Sequence, residues 1–235
     1  MPLLLPQAHI FFESEQTDAC QVVVLGGRAP ALPWLSSVGS GRIVWAVDRG
    51  VDACMAAGII PNHVVGDFDS ISKEAEAWLE RRSAEAEIEI KRFPAEKDCT
   101  DFQICLNLTK GDLLVTGCWG GRFDHAYANI FSALWGVEWG AIVRAFADDS
   151  EVLIPLAAEA RSAALELRLM SEASAISLLP LCESCEGVSI QGTKWELNGA
   201  KLAQRRPYAV SNVPAGEKIS VKIERGVVGV YCFFE

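Results

Sequence analysis

Gln21-Val22-Val23-Val24-Leu25-Gly26-Gly27 is a continuous apolar run, rich in valine, that stops on two glycines. No polar residue alternates within it. Both faces of such a strand must be buried, as in a parallel sheet covered by helices. The glycines mark a tight turn at its carboxyl end. A second run over 42–47 has the same character and ends in Asp48-Arg49-Gly50. Val64-Val65 is a short strand feeding Gly66-Asp67-Phe68-Asp69-Ser70, and further strands read over 88–93, 112–116 and 141–146. Helical stretches lie between them, over 51–57, 72–87, 100–108 and 123–135, with Ser72 and Thr100 as side-chain caps and Gly58 as a stop. Strands alternating with helices predict a parallel sheet with crossover helices up to about residue 156.

Beyond that point the pattern changes. Short strands are expected over 161–168, 175–180, 188–190, 194–197, 208–210, 219–223 and 227–234, separated by glycine, proline and asparagine. This is an all-β unit, sandwich or barrel. The expected division is an α/β domain over 1–156 and a β domain over 157–235, with the boundary near Pro155 to Glu159.

The bulk properties fit a globular protein. Half of the 235 residues are hydrophobic, and 22% are charged. The net charge of -10 argues against nucleic acid or an anionic membrane as partner, since both are held by a basic face. It leaves room for nucleotides, which metal ions on carboxylates can hold. The eight cysteines do not form a disulfide framework in a chain this long, which points to a reducing, cytoplasmic setting. Only Cys182 and Cys185 make a C-x-x-C, a weak metal or redox signal without a second pair. No apolar run reaches the roughly 18 residues that span a bilayer, and no signal peptide is legible.

Ligands of open α/β sheets bind at the carboxyl ends of the strands. The polar residues of the first half gather there: Gly26 after one strand, Asp48 after the next, Asp67 and Asp69 after the third. Two carboxylates two residues apart repel each other unless a cation neutralises them, and Mg²⁺ suits such a pair with phosphate oxygens. Lys97 and Asp101 flank Thr100 at a helix start, where they either cap the helix or meet phosphate and metal. Gly117-Cys118-Trp119-Gly120-Gly121-Arg122-Phe123-Asp124-His125 offers backbone N–H groups and a guanidinium to a phosphate. It is not a Walker A loop. His125 reads as a general base or, preferably, a packing residue bonded to Asp124. In the β half, Trp195 is either core or a stacking surface for a flat cationic heterocycle.

Taken together, Asp48-Arg49-Gly50, Gly66 to Ser70, Lys97 to Asp101, Gly120 to His125, Asn129, Asp149-Ser150, Gly192 to Leu197 and Ser211-Asn212 resemble the thiamine pyrophosphokinase family. The resemblance implies an α/β catalytic domain followed by a thiamine-binding β-sandwich. It implies ATP as co-substrate, Mg²⁺ as cofactor, and a homodimer with thiamine between protomers. It makes Asp67, Asp69 and Asp101 metal residues, and Asp69, Asp101 and Arg122 catalytic. Gly26, Asp48, Lys97, Thr100, Arg122, Asp124 and His125 become nucleotide contacts, and Trp195, Ser211 and Asn212 thiamine contacts. Either Asp69 or Asp101 takes the hydroxyl proton. Two departures stand out: Arg49 where the family usually has glycine, and Ala209 where it often has serine. The rival readings are pyrophosphoryl transfer to a hydroxymethyl pterin, or a thiamine- or nucleotide-binding regulator without catalysis.

Overall fold

The computed structural model describes residues 2–13, 20–85 and 88–234. These form two compact units, one holding 20–148 and the other 2–13 with 149–234. Two N-terminal strands, Leu3–Leu4 (β1) and Ala8–Phe12 (β2), belong to the second unit.

The first unit alternates as the sequence predicts. It runs Gln21–Val24 (β3), Leu32–Gly39 (α1), Val44–Val47 (β4), Gly50–Ala56 (α2), His63–Gly66 (β5) and Lys73–Ala84 (α3). Glu89–Arg92 (β6), Asp101–Leu108 (α4), Gly111–Thr116 (β7), Phe123–Gly136 (α5) and Ala141–Ala147 (β8) complete it. Within this unit the strand order is β8-β7-β3-β4-β5-β6, and each adjacent pair is parallel. The chain moves outward from β3 to β6 and then returns to lay β7 on the other side of β3. That reversal is the point where open α/β sheets bind ligands. Val22, Val23, Val24, Val64 and Val65 are fully buried, the expected fate of a strand covered on both faces.

Two expected caps are present. Ser72 Oγ accepts from the Ala75 N–H at 3.1 Å, and Thr100 forms a full capping box with Gln103 at the start of α4. The last residues of the expected helix over 72–87 lie outside the described residues. Helix α1 has no counterpart in the sequence reading. It is short, carries Pro33 in its first turn and has no side-chain cap.

The second unit is built of two antiparallel sheets. Ala163–Leu169 (β10), Lys218–Ile223 (β14), Ser184–Gln191 (β12) and Leu197–Ala203 (β13) extend β1 and β2 in the order β1-β2-β10-β14-β12-β13. Ala173–Pro180 (β11), Gly226–Phe234 (β15) and Glu151–Ala158 (β9) form the other, in the order β11-β15-β9. Their strands contact across the gap, β9 to β10 and β12 to β15, so the unit is a sandwich.

Three details differ from the sequence expectation. The boundary at 156/157 falls inside β9, whose partner is β15, and the units divide between Asp148 and Asp149. Residues 8–12 pair with β10, so the N-terminal segment joins the β unit. A strand's partner is set by contacts distant in sequence, which local periodicity does not report. Lastly, 194–196 is a turn leading into β13, which begins at Leu197, and 208–210 lies outside the strands, although Ala209 C=O accepts from the Leu178 N–H at 2.7 Å.

Candidate active site

Asp48 is the first residue beyond β4, and its backbone is left-handed at φ 49°. Such a conformation is uncommon outside glycine and marks a position held in place by its surroundings. Gly66 passes so near that a Cβ there would lie 3.3 Å from the Asp48 Cα and N. Phe68, also left-handed at φ 66°, is buried, and the Arg92 guanidinium lies 4.8 Å from its ring centre. Anchoring Phe68 leaves Asp67 half-buried and Asp69 exposed on either side of it.

The result is a cluster. One carboxylate oxygen from each of Asp48, Asp67 and Asp69 lies within 4.8 Å of the other two. Asp48 Oδ2 accepts from Ser70 Oγ at 2.5 Å, while its Oδ1 is buried with no hydrogen-bond partner. Burial opposes ionisation of Asp67, but the Asp69 N–H and the Lys97 ammonium overcome it and hold the carboxyl below its ordinary range. The negative charge of Asp67 pushes Asp69 upward. Converging carboxylates with a buried, unsatisfied oxygen are the donor set of a hard divalent cation.

Lys97 links this cluster to the next loop. Its Nζ lies 3.1 Å from Asp67 Oδ2 and 3.3 Å from Asp101 Oδ1, with little exposure on any of the three side chains. Burial pushes the Asp101 carboxyl up, against the pull of Lys97. Asp101 therefore stands beside the three-carboxylate group through a shared lysine and is not one of its members.

The glycine loops meet at the sheet's reversal point. Gly27 donates its N–H to Gly117 C=O at 2.8 Å, and Arg28 donates to Trp119 C=O at 2.5 Å. A Cβ on Gly27 would lie 2.6 Å from the Trp119 oxygen, so the two loops fit only without a side chain there. Gly26 faces Arg49, whose Cβ would be 2.6 Å from an added Cβ on Gly26. Arg49 thus occupies the space that Gly26 leaves open.

Arg122 is the N-cap of helix α5 and its side chain caps none of the first N–H groups, of which the one at His125 is taken by Asp124 Oδ1. Arg122 pairs with Asp124 at 3.1 and 2.5 Å, both exposed, and bonds to no member of the carboxylate cluster among the described residues. The preferred packing role for His125 does not hold. Its side chain is exposed, and it is the backbone N–H that bonds Asp124 Oδ1, at 3.0 Å. Thr100 uses its hydroxyl to cap α4.

In the β unit a pocket of about 380 Å³ is walled by Ile176, Leu178 and Ile190 and rimmed by Trp195, Tyr208, Ser211 and Asn212. Its size and apolar walls suit a small organic ligand. Trp195 is 56% exposed, with the Lys194 ammonium 4.7 Å from its ring centre. Asn212 is fully engaged in holding the Trp195 turn. Its Oδ1 accepts from the Trp195 N–H at 3.1 Å, and its Nδ2 donates to Thr193 Oγ1 at 3.0 Å and to Trp195 C=O at 2.6 Å. Ser211, at φ 57°, donates its N–H to Ser177 Oγ at 3.0 Å. The sequence reading missed Ser177, Tyr208 and the aliphatic wall. The alternation of Ile176 and Leu178 along β11 signals a strand face but not which strands share it, and Tyr208 lies outside the strands.

Comparison with known proteins agrees with this division. Residues 37–139 match the family model described as thiamin pyrophosphokinase, catalytic domain. Residues 164–228 match the one described as thiamin pyrophosphokinase, vitamin B1 binding domain. A thiamine pyrophosphokinase of Bacillus subtilis is 25% identical over 211 residues, covering 88% of this chain and 94% of its own. Thiamine pyrophosphokinase 2 of Oryza sativa subsp. japonica is 28% identical over 173 residues, 69% of this chain and 62% of its own. The crystal structure of the Bacillus subtilis protein superposes with a TM-score of 0.78 at 21% identity, covering 92% of this chain and 99% of that one. The thiamin pyrophosphokinase from Candida albicans gives 0.75 at 15%, covering 92% and 89%. At these identities the structural likeness speaks for the fold.

The class is a two-domain enzyme, a catalytic α/β unit joined to a vitamin-binding β unit. More narrowly, the two matches together span more than half of the residues in the family's order, and the chain belongs to the thiamine pyrophosphokinase family.

Proposed function

We propose that the protein transfers the diphosphoryl group of ATP to the hydroxyl of thiamine, giving thiamine diphosphate and AMP. The observation that carries the reading is the convergence of Asp48, Asp67 and Asp69 at adjacent strand ends, in a chain whose two units match the catalytic and vitamin B1-binding domains of one family. The vitamin-binding match also favours thiamine over a pterin as acceptor.

The three clustered carboxylates fit a Mg²⁺ ion, and the orphaned Asp48 Oδ1 fits it further. When bound, the cation neutralises phosphate oxygens of ATP and of the departing AMP. The chain's own residues do the rest. Lys97 keeps Asp67 ionised, and Ser70 turns Asp48 toward the cluster. The first-turn N–H groups of α5 at Phe123 and Asp124, with Arg122 beside Asp124, cradle phosphate at a helix N-terminus, aided by the close backbone approach that Gly26 and Gly27 permit. His125 and Thr100 serve this end by position, His125 in the first turn of α5 and Thr100 as the cap of α4. Asp69 is committed to the cation. Asp101, desolvated and tied to Lys97, is the carboxylate left to take the thiamine hydroxyl proton.

Trp195 offers its ring to the cationic heterocycle of thiamine, over the aliphatic wall of the pocket. Asn212 shapes that wall by holding the Trp195 turn, and Ser211 by donating its N–H to Ser177. The active form is a homodimer with thiamine between protomers. Cytoplasmic location rests on eight cysteines, none joined by a disulfide among the described residues. Parallel assays with ATP and Mg²⁺, one with thiamine and one with a hydroxymethyl pterin, test the acceptor. AMP release with thiamine alone is expected, and release with the pterin alone would refute the proposal.

A further inference from the structure

Cys182 and Cys185 flank the link between β11 and β12, and the reaction proposed above uses neither. The pair lies outside the carboxylate cluster and outside the lining of the pocket. The two sulfurs are 3.6 Å apart, in contact. Val227, on the neighbouring strand β15, holds both. Its N–H donates to Cys182 Sγ at 3.3 Å, and its C=O accepts from the Cys185 thiol at 3.1 Å. The Cys182 thiol donates in turn to the Ser184 C=O at 3.2 Å. Gly226, at φ 100°, makes room for this arrangement. A Cβ there would lie 3.0 Å from Cys182 Sγ and 2.8 Å from the Ser184 oxygen.

The pair also sits at a junction. Residues 181–183 carry the chain from the sheet of β11 to that of β12, and 224–225 carry it from β14 back to β15. Two crossovers of the sandwich thus meet at the thiols. Ser184, in the same link, keeps a buried hydroxyl oxygen with no hydrogen-bond partner. An orphaned buried group in a native fold calls for a reason, and redox chemistry at adjoining sulfurs is one. A metal is the weaker reading. Structural zinc takes four ligands, and among the described residues no third Cys, His, Asp or Glu joins the pair.

We infer that Cys182 and Cys185 form a reversible dithiol–disulfide site whose oxidant is a low-molecular-weight disulfide. Closing the 3.6 Å gap to the roughly 2.05 Å of a disulfide brings the sulfurs about 1.5 Å nearer. Cys182 is half-buried and is the thiol that a small molecule reaches, whereas Cys185 is fully buried. Burial also holds the proton on Cys185, above the ordinary thiol range, which suits the second attack and not the first. Cys182 gives up its proton and attacks one sulfur of the small disulfide. A mixed disulfide forms, and the thiolate that leaves takes up that proton. The Cys185 sulfur then attacks Cys182 Sγ, its proton passing to the second departing thiolate. Two protein thiols are oxidised to one disulfide, and one small disulfide is reduced to two thiols. In a reducing compartment such a bond is transient and forms when the pool of small disulfides rises.

The full chain, reduced and then equilibrated with glutathione buffers of rising disulfide fraction, tests the site. Alkylation in denaturant, digestion and mass spectrometry report each cysteine. The peptide that holds both residues should pass in one step from carrying two alkyl groups to carrying none and lacking the mass of two hydrogens. Dithiothreitol should restore it. Cys185→Ser should stop with glutathione on Cys182, and Cys182→Ser should leave Cys185 free of it. Two alkyl groups at every buffer composition, or glutathione retained on Cys182 of the wild type, overturns the inference whether or not the variants fold. Zinc held by the pair in a native mass spectrum overturns it as well and assigns the thiols to a metal.

Discussion

Ser70 donates its hydroxyl to Asp48 across a 2.5 Å hydrogen bond that joins the ends of two neighbouring strands, β5 and β4. Asp48 sits in a left-handed conformation, and this bond engages its Oδ2 while Oδ1 is left without a hydrogen-bond partner. Ser70 is a positioning residue in this account. Ser70→Ala should raise the Mg²⁺ concentration for half-maximal rate several-fold while leaving kcat at saturating metal within about three-fold, because one hydrogen bond to a charged group is worth about 1.5–3 kcal/mol. An unchanged metal requirement would show that the bond does no positioning.

Lys97 is held between two carboxylates, and its loss should be felt without metal. A carboxyl held below its unfolded pKa, as Asp67 is, adds stability above that pKa and loses it as the pH falls through the lower, folded value. Lys97→Met removes that contribution. In chelator, the variant should unfold at lower urea than wild type at pH 6, by about 1 kcal/mol. The two should converge as the pH falls through the lowered, folded value of Asp67. A gap that persists at low pH would mean that Lys97 acts through packing.

The two candidate proton acceptors separate kinetically. Asp69 belongs to the three-carboxylate group and Asp101 does not. Asp101→Asn should therefore lower kcat by about 10²-fold or more with the metal requirement little changed, in the range of general-base removal. A shift in metal requirement in place of a loss of kcat would reassign Asp101 to the cation.

Asn212 makes its contribution through Trp195. Asn212→Ala releases the Trp195 N–H and C=O and the Thr193 hydroxyl at once. It should raise KM for thiamine at least ten-fold with kcat nearly unchanged, and cost about 1–3 kcal/mol of stability from the groups left unpaired. Steady-state kinetics with varied thiamine and a melting curve read the two effects separately.

Lys194 already sits over the ring to which thiamine is assigned. A cation in that place competes with a cationic ligand. Lys194→Ala should tighten thiamine binding, in calorimetry, by a few-fold. Weaker binding would place Lys194 as an aid to the ligand.

Much of this was legible in residue order. The valine-rich run at Val22 to Val24 and its repeats set the parallel sheet, because burial on both faces leaves a continuous apolar signature. Ser72 and Thr100 stood where capping chemistry puts them. The carboxylates at strand ends marked the candidate site, where Asp48, expected as a nucleotide contact, clusters with Asp67 and Asp69, while Asp101, expected with the metal residues, stands beside them through Lys97. What stayed hidden was pairing at long range. Nothing local joins Ser70 to Asp48, 22 residues away, or β2 to β10, and nothing in the 194–197 pattern separates a strand from a turn pinned by Asn212. His125 misled for a similar reason, since exposure depends on which side of α5 faces the unit, and here small residues took that side.

The central claim is that clustered aspartates drive diphosphoryl transfer to thiamine. Its most direct test is the formation of AMP and thiamine diphosphate from ATP, thiamine and Mg²⁺ by wild type and Asp69→Asn, each checked for unchanged folding. The account predicts stoichiometric AMP and thiamine diphosphate from the wild type and a loss of about 10²-fold or more in the variant. Near-normal turnover by Asp69→Asn, or wild-type product accompanied by ADP in place of AMP, would contradict it.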